Sequence, residues 1–161
     1  MCSDKVDHVE NTHCHVARHG ERWFITPAIP IELAVLNLGF DVVSIDASAE
    51  MVRATKELTG LDAWQLGFQD LDFDGGFDGI WACASLLHVT RRELSSVLAR
   101  LARALKSNGV LDVSFKYGDD ERVEDGRLFN DRNDARLGDA LANHPKQAQT
   151  NNNKTGSSVD R

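Results

Sequence analysis

Between Phe40 and Lys116, short β-branched runs alternate with runs whose apolar residues recur at helical spacing. Phe40–Ile45 (FDVVSI) is a β-branched run that stops at Asp46, which predicts a buried strand. Ser48 is a good helix N-cap, and Glu50 follows in the first turn, where its charge suits the helix dipole. Met51, Val52, Thr55 and Leu58 continue at helical spacing, and Gly60 supplies the stop. A shorter strand is expected near Ala63–Phe68, then an acidic turn over Asp70–Gly76, then another strand over Phe77–Cys83.

Thr90-Arg91-Arg92-Glu93 has the form of a capping box, in which Thr90 and Glu93 each satisfy a free backbone N–H. Behind it Leu94, Val97, Leu98, Leu101 and Leu105 form one apolar stripe, ended by Ser107-Asn108-Gly109. Val110–Lys116 (VLDVSFK) predicts the next strand. Strands separated by helical spacers in this order make βαβ units, so the fold expected is α/β, with a doubly wound, mostly parallel sheet.

The two ends differ from this middle. Residues 1–20 are polar and hold His8, His13, His15 and His19. Residues 143–161 (NHPKQAQTNNNKTGSSVDR) contain one apolar residue beyond alanine, Val159, too little to offset the entropy of ordering. The organisation expected is a polar segment over 1–20, an α/β domain over 21–142 and a disordered tail over 143–161.

Composition narrows the function. The chain has 161 residues, 42% hydrophobic and 27% charged, which is enough for one globular domain with one core. Eighteen Lys and Arg stand against 25 Asp and Glu, a formal charge of −7. An acidic surface releases no counterions from a phosphate backbone, so nucleic acid is not expected as a partner. Cys2, Cys14 and Cys83 are odd in number and irregularly spaced, which argues against a disulfide framework and for a reducing cytoplasm. Met1–Glu10 has no apolar stretch of the secretory kind, and no run approaches the ~18 apolar residues of a membrane span. A cytoplasmic protein without membrane contact is expected.

Several residues carry candidate chemistry. Asp46 follows a buried strand and precedes a helix, so it reads either as an acid facing a cofactor crevice or as an ordinary surface turn residue. Asp70–Gly75 matches the first half of a calcium loop, but its twelfth position is Trp81 and not a bidentate Glu, so a solvated acidic turn is preferred. The His13-Cys14-His15 group lacks a second cysteine pair, and no metal site is expected. His88 lies just beyond a strand's carboxyl end, where ligands bind in open α/β sheets, yet a lone His beside leucines is more often a partly buried structural residue. Asp112 within an apparent central strand has no functional account.

The blocks DVVSIDASAEMV (Asp41–Val52), FQDLDF (Phe68–Phe73), FDGIWACASLLHV (Phe77–Val89), LARLARALKSNGVLDVSFKYG (Leu98–Gly118) and ERVEDGRLF (Glu121–Phe129) stand in order at sensible separations. Together they resemble small bacterial class I S-adenosylmethionine-dependent methyltransferases, of the tellurite-resistance and generic kinds. The resemblance implies a Rossmann-like methyltransferase core with S-adenosylmethionine as cofactor and a small-molecule acceptor. It implies that Asp46 holds the ribose diol beside Ala47, and that Gln69 and Asp70 flank the adenine. Ala82 and Cys83 would line the methionine side, with Leu87 and His88 facing the substrate. Methyl transfer from a sulfonium is an in-line displacement governed by positioning, so no catalytic base is assigned.

The family's cofactor loop, D-x-G-x-G-x-G after the first strand, lets backbone N–H groups approach the cofactor. Threaded without gaps, Trp23 falls at the acid and Ile25, Pro27 and Ile29 at the three glycines. The resemblance begins at about Ile31, and the residues after Leu141 do not read as the family's last two strands. The core is thus expected to be incomplete at both ends, with weak or absent activity. The competing expectation is a non-catalytic α/β interaction module, or a homo-oligomer formed through open sheet edges.

Overall fold

The computed structural model describes residues 20–26, 29–142 and 148–150, with side-chain surroundings given for 20–26 and 33–142. In chain order the elements are β1 (Arg22–Ile25), α1 (Ile29–Asn37), β2 (Asp41–Asp46), α2 (Ala49–Thr59), β3 (Asp62–Gln65), β4 (Phe77–Ala82), α3 (Leu94–Ala104) and β5 (Leu105–Val113). They are followed by β6 (Glu121–Glu124), β7 (Arg127–Asn130), α4 (Asp134–Ala142) and β8 (Ala148–Thr150). Short 3₁₀ turns at Phe68–Asp70 and Leu86–His88 follow β3 and β4.

Six strands form one sheet in the order β3-β2-β1-β4-β5-β8, every neighbouring pair parallel. This is the expected α/β doubly wound, parallel architecture. The chain leaves β1 towards β2 and β3 on one side, then returns to β4 and β5 on the other. The winding reverses between β1 and β4, and the carboxyl ends of those two strands border the crevice where such sheets bind ligands.

Two apolar layers hold the sheet. On one face Ile25, Phe40, Val42 and Leu61 pack with Val35 and Leu36 of α1. On the other face Phe24, Val43, Ile45 and Ile80 pack with Leu94, Val97, Leu98 and Leu101 of α3 and Leu137 of α4. The expected stripe of α3 is therefore the buried one. Helix α2 starts as its sequence directs, with Ser48 Oγ accepting from Met51 N and Gly60 closing it at φ 71.

Three local differences from expectation have physical causes. Helix α3 ends at Ala104, because Leu105 is needed in the core, where it pairs with Phe77. The β4–β5 register then shifts before Gly79 pairs with Val110, so Ser107-Asn108-Gly109 lies inside β5 and not at a helix end. Gly109 is required there, since a Cβ would sit 2.8 Å from Leu105 Cδ2 and 3.1 Å from the Phe77 carbonyl. The capping box forms by half: Glu93 N donates to Thr90 Oγ1 (3.2 Å), while the Glu93 carboxylate takes the Thr90 hydroxyl (2.5 Å).

At the chain's ends, Arg22–Ile25 supplies the central strand although the resemblance begins later. Within the stretch expected to be a disordered tail, Ala148–Thr150 pairs with β5. The polar segment with His8, His13, His15 and His19, together with Pro27 and the remainder of 143–161, lies outside the described residues.

Candidate functional site

A cleft of about 850 Å³ opens over the carboxyl ends of the central strands. Thr26 follows β1, Asp46 ends β2 with Ala47 next, Leu66 and Gly67 follow β3, and Cys83, Ala84 and Ser85 follow β4. Four strand ends therefore deliver side chains to one place, on either side of the winding reversal.

Of the residues singled out from sequence, Asp46, Ala47, Gln69, Cys83 and His88 line this cleft. Asp46 Oδ1 accepts from Ser48 N (2.6 Å), which ties the carboxylate to the first turn of α2. Gln65 Nε2 donates to the Ala47 carbonyl (3.3 Å), bracing the same turn from β3. Asp70 is exposed and is not among the lining residues, but its Oδ2 would lie 3.4 Å from a Cβ on Gly67, at the rim. Ala82 and Leu87 are buried in the core beneath the cleft and do not line it.

His88 is exposed, and its Nδ1 lies 2.7 Å from the Leu128 carbonyl. A carbonyl can only accept, so Nδ1 donates in this contact. That contact joins the site to a feature sequence reading passed over. β6 and β7 form an antiparallel hairpin turned at Asp125 (φ 49) and Gly126 (φ 75), as a type I′ turn requires. The hairpin brings Arg127 and Leu128 to the cleft wall, and buried Asn130 anchors it by donating to the Val89 carbonyl (3.1 Å). Among the described residues that line the cleft, Arg127 is the only lysine or arginine, opposite in charge to Asp46.

Thr26 was also missed. Its N–H donates to the Trp81 carbonyl (2.9 Å), and its hydroxyl lies 3.1 Å from Ser85 Oγ. Ala84 adopts φ 50, a conformation L residues rarely take, and its N–H donates to Ser114 Oγ (2.8 Å). The bond fixes the turn after β4, so the cleft floor is held by strand ends and not by a free loop.

Behind that turn, Cys83 Sγ lies 4.0 Å from Asp112 Oδ1. Burial pushes the Cys83 thiol up, and the Asp112 charge adds to the effect against an opposing hydrogen bond from Ser114. Cys83 is accordingly a neutral wall group at pH 7, not a thiolate nucleophile. Burial also raises the Asp112 carboxyl above its ordinary 3.8. Below 3.8, folded and unfolded chains both hold the proton and no penalty arises. As pH rises through the raised folded value, stability is lost. Asp112→Asn is therefore expected to raise the thermal midpoint at pH 7 and leave it unchanged at pH 3. Melting curves at the two pH values check this, and an equal effect at both would reject a charge-based cause.

Among the described residues, no group of three or more His, Cys, Asp or Glu is placed to hold a metal, and no helix is long and apolar enough to cross a membrane.

Residues 30–109 match the methyltransferase domain family. No protein of curated function matches the chain. Among solved structures, the chain is similar to the 1,6-didemethyltoxoflavin-N1-methyltransferase of Burkholderia thailandensis, crystallised with 1,6-didemethyltoxoflavin and S-adenosylhomocysteine. Identity is 18%, the TM-score is 0.62, and the match covers 78% of this chain and 60% of that one. A TehB-like SAM-dependent methyltransferase from Corynebacterium glutamicum is similar at 19% identity and TM-score 0.52, over 58% of this chain and 54% of the other. Likeness at this level establishes the fold, and the chain spans about 60% of the length of the first of these enzymes.

Proposed function

We infer the function from one premise: residues 30–109 match the methyltransferase domain family, within a parallel sheet whose winding reverses between β1 and β4. The protein is a methyltransferase with S-adenosylmethionine as its cofactor and a small molecule as its acceptor. Its working unit is the α/β domain over 21–142, with β8 (Ala148–Thr150) added at the edge of its sheet. The observation that carries the reading is the convergence of Asp46, Ala47, Gln69, Cys83 and His88, from separate strand ends, on one cleft.

The chain's residues fit the two ends of the cofactor unequally. Asp46 offers a carboxylate at the carboxyl end of β2, suited to a ribose diol, with Gln69 in the wall and Asp70 at the rim for adenine. Among the described residues nothing equivalent serves the methionine end, because residues 21–38 contain no glycine and the Thr26 N–H is already bonded to the Trp81 carbonyl. Weak binding, and hence weak or absent turnover, follows.

When bound, the cofactor supplies a methyl group activated on a sulfonium, so the chain's task is positioning. Asp46 orients the ribose, Cys83 bounds the methionine side, and Leu87 supports the floor from the core. His88 and Arg127 face the acceptor from the cleft wall.

The competing reading, a non-catalytic module or homo-oligomer joined through sheet edges, draws on Trp64, 41% exposed on edge strand β3. That edge is four residues long with Asp62 and Gln65 exposed, the pattern by which natural edges avoid pairing.

Isothermal titration with S-adenosylhomocysteine tests the proposal. A saturable signal is expected, with Kd on the order of 10 µM to 1 mM. No heat at millimolar ligand would overturn the enzyme reading, whereas sub-micromolar binding with clear turnover would overturn its impairment.

A further inference from the structure

A second cavity, about 440 Å³, shares no lining residue with the cleft. Three guanidinium groups reach it from three segments: Arg91 ahead of α3, Arg132 between β7 and α4, and Arg136 in α4. Two are engaged. Arg136 Nε pairs with Asp119 Oδ1 (2.5 Å), and Arg91 Nη2 donates to the Asp119 carbonyl (2.9 Å) while its backbone N–H meets Glu121.

Arg132 is different. It is only 7% exposed, its Nε is buried without a partner, and among the described residues its guanidinium forms no hydrogen bond or ion pair. A buried cation left unpaired is costly, so this arrangement calls for an anion. Burial lowers the Arg132 pKa, and the charges of Arg91 and Arg136 lower it further against the weaker pull of Glu121 and Asp119. The Nε of Arg91 is likewise buried and unbonded. One carboxylate, Asp139, also borders the cavity, and Ser95 adds a hydroxyl.

We propose that the cavity between α3, α4 and the segment after β7 is a binding site for a phosphate group, held by Arg132 with Arg91 and Arg136. A planar guanidinium fork with unused N–H groups matches the spaced oxygens of phosphate, and charge-assisted bonds to it are the strong kind. The N-terminus of α3, beside Arg91, adds a favourable dipole. The cavity exceeds a bare oxyanion, which leaves room for the organic part of a phosphorylated small molecule. The site is independent of the methyltransferase reading, and either can fail alone.

The test is a titration of the full chain with orthophosphate, and separately with glycerol 3-phosphate, at constant ionic strength, read by the arginine Nε–Hε NMR signals. Saturable shifts of the Arg132 and Arg91 signals are expected. Binding should weaken about 10-fold or more in Arg132→Gln, the scale of one lost charge-assisted bond. Tighter binding of the monoester would identify a phosphorylated metabolite as the ligand, and equal binding would identify phosphate itself. Arg136→Gln, at a half-exposed position, should weaken binding about threefold and decides the matter should the Arg132 variant not fold. Absence of saturable shifts up to tens of millimolar, or unchanged affinity in the folded variants, would overturn the proposal.

Discussion

Gly79→Val is expected to be among the most damaging single substitutions in this chain, lowering stability by about 3 kcal/mol or abolishing the cooperative melt. Gly79 lies in the middle of β4, directly across from Trp23 in β1. A Cβ there would come within 2.5 Å of three carbons of the Trp23 ring, closer than real contacts allow. The ring has little freedom to retreat, because it meets Phe40 edge-on at 6.0 Å and packs on the layer containing Ile25 and Val42. Valine adds two further methyl groups to that clash. Trp23→Ala removes the obstruction at the expense of a cavity, itself costing about 2–4 kcal/mol at a half-buried site. The double variant should recover part of the loss, with a coupling of about 1–3 kcal/mol between the sites. Thermal and urea melts of the four proteins measure it. A Gly79→Val chain that melts like the parent would mean that β1 and β4 are not paired in this register.

The Trp23–Gly79 contact also marks where reading the sequence fell short. β2, α2, β4 and α3 were legible because each carries its own signal: a β-branched run, a cap three residues before a bonded N–H, or a stripe at helical spacing. β1 has only four residues, RWFI, too few to display a period. Its place at the centre of the sheet is set by partners 19 and 56 positions away, Val42 and Gly79. No local pattern encodes such a pairing. Gap-free threading put Trp23 at the family's acidic position, whereas in the sheet it lies mid-strand and packs with Phe40.

Site residues divide along the same line. Asp46 was readable as a candidate, since an acid between a buried strand and a capped helix either faces the crevice or sits in a surface turn, and here it lines the cleft. Ala82 was named with Cys83 because the family resemblance implies both on the methionine side. Side chains alternate along a strand, however, and Ala82 points into the core beside Ile80. The 3₁₀ turn at Leu86–His88 turns both leucines inward and leaves His88 outside. Arg127 and Leu128 were missed although Asp125-Gly126 is a strong hairpin signal. The flanking strands hold only Val123, Leu128 and Phe129 as apolar residues, too few to give a strand signal.

Asp46 carries the second large effect, and two substitutions there separate its bond to the α2 turn from the cofactor contact proposed for it. Asp46→Ala is expected to weaken S-adenosylhomocysteine binding by about 10- to 100-fold, the equivalent of one or two bonds to a charged acceptor. The same change also frees Ser48 N, which Asp46 Oδ1 binds at 2.6 Å, and so loosens the entry to α2 by about 1 kcal/mol. A loss of affinity in the alanine variant alone could therefore come from a displaced turn. Asp46→Asn keeps a carbonyl for Ser48 N but removes the charge that would hold two hydroxyls at once. Its melting temperature should match the parent's while its affinity falls nearly as far as in the alanine variant. Adenosine should follow the same ranking in calorimetry, since it carries the diol, whereas methionine, which lacks it, should not distinguish the three proteins. If Asp46→Asn bound S-adenosylhomocysteine as tightly as the parent, the carboxylate would belong to the turn alone. The ribose would then have to be held from the Gln69 side of the cleft.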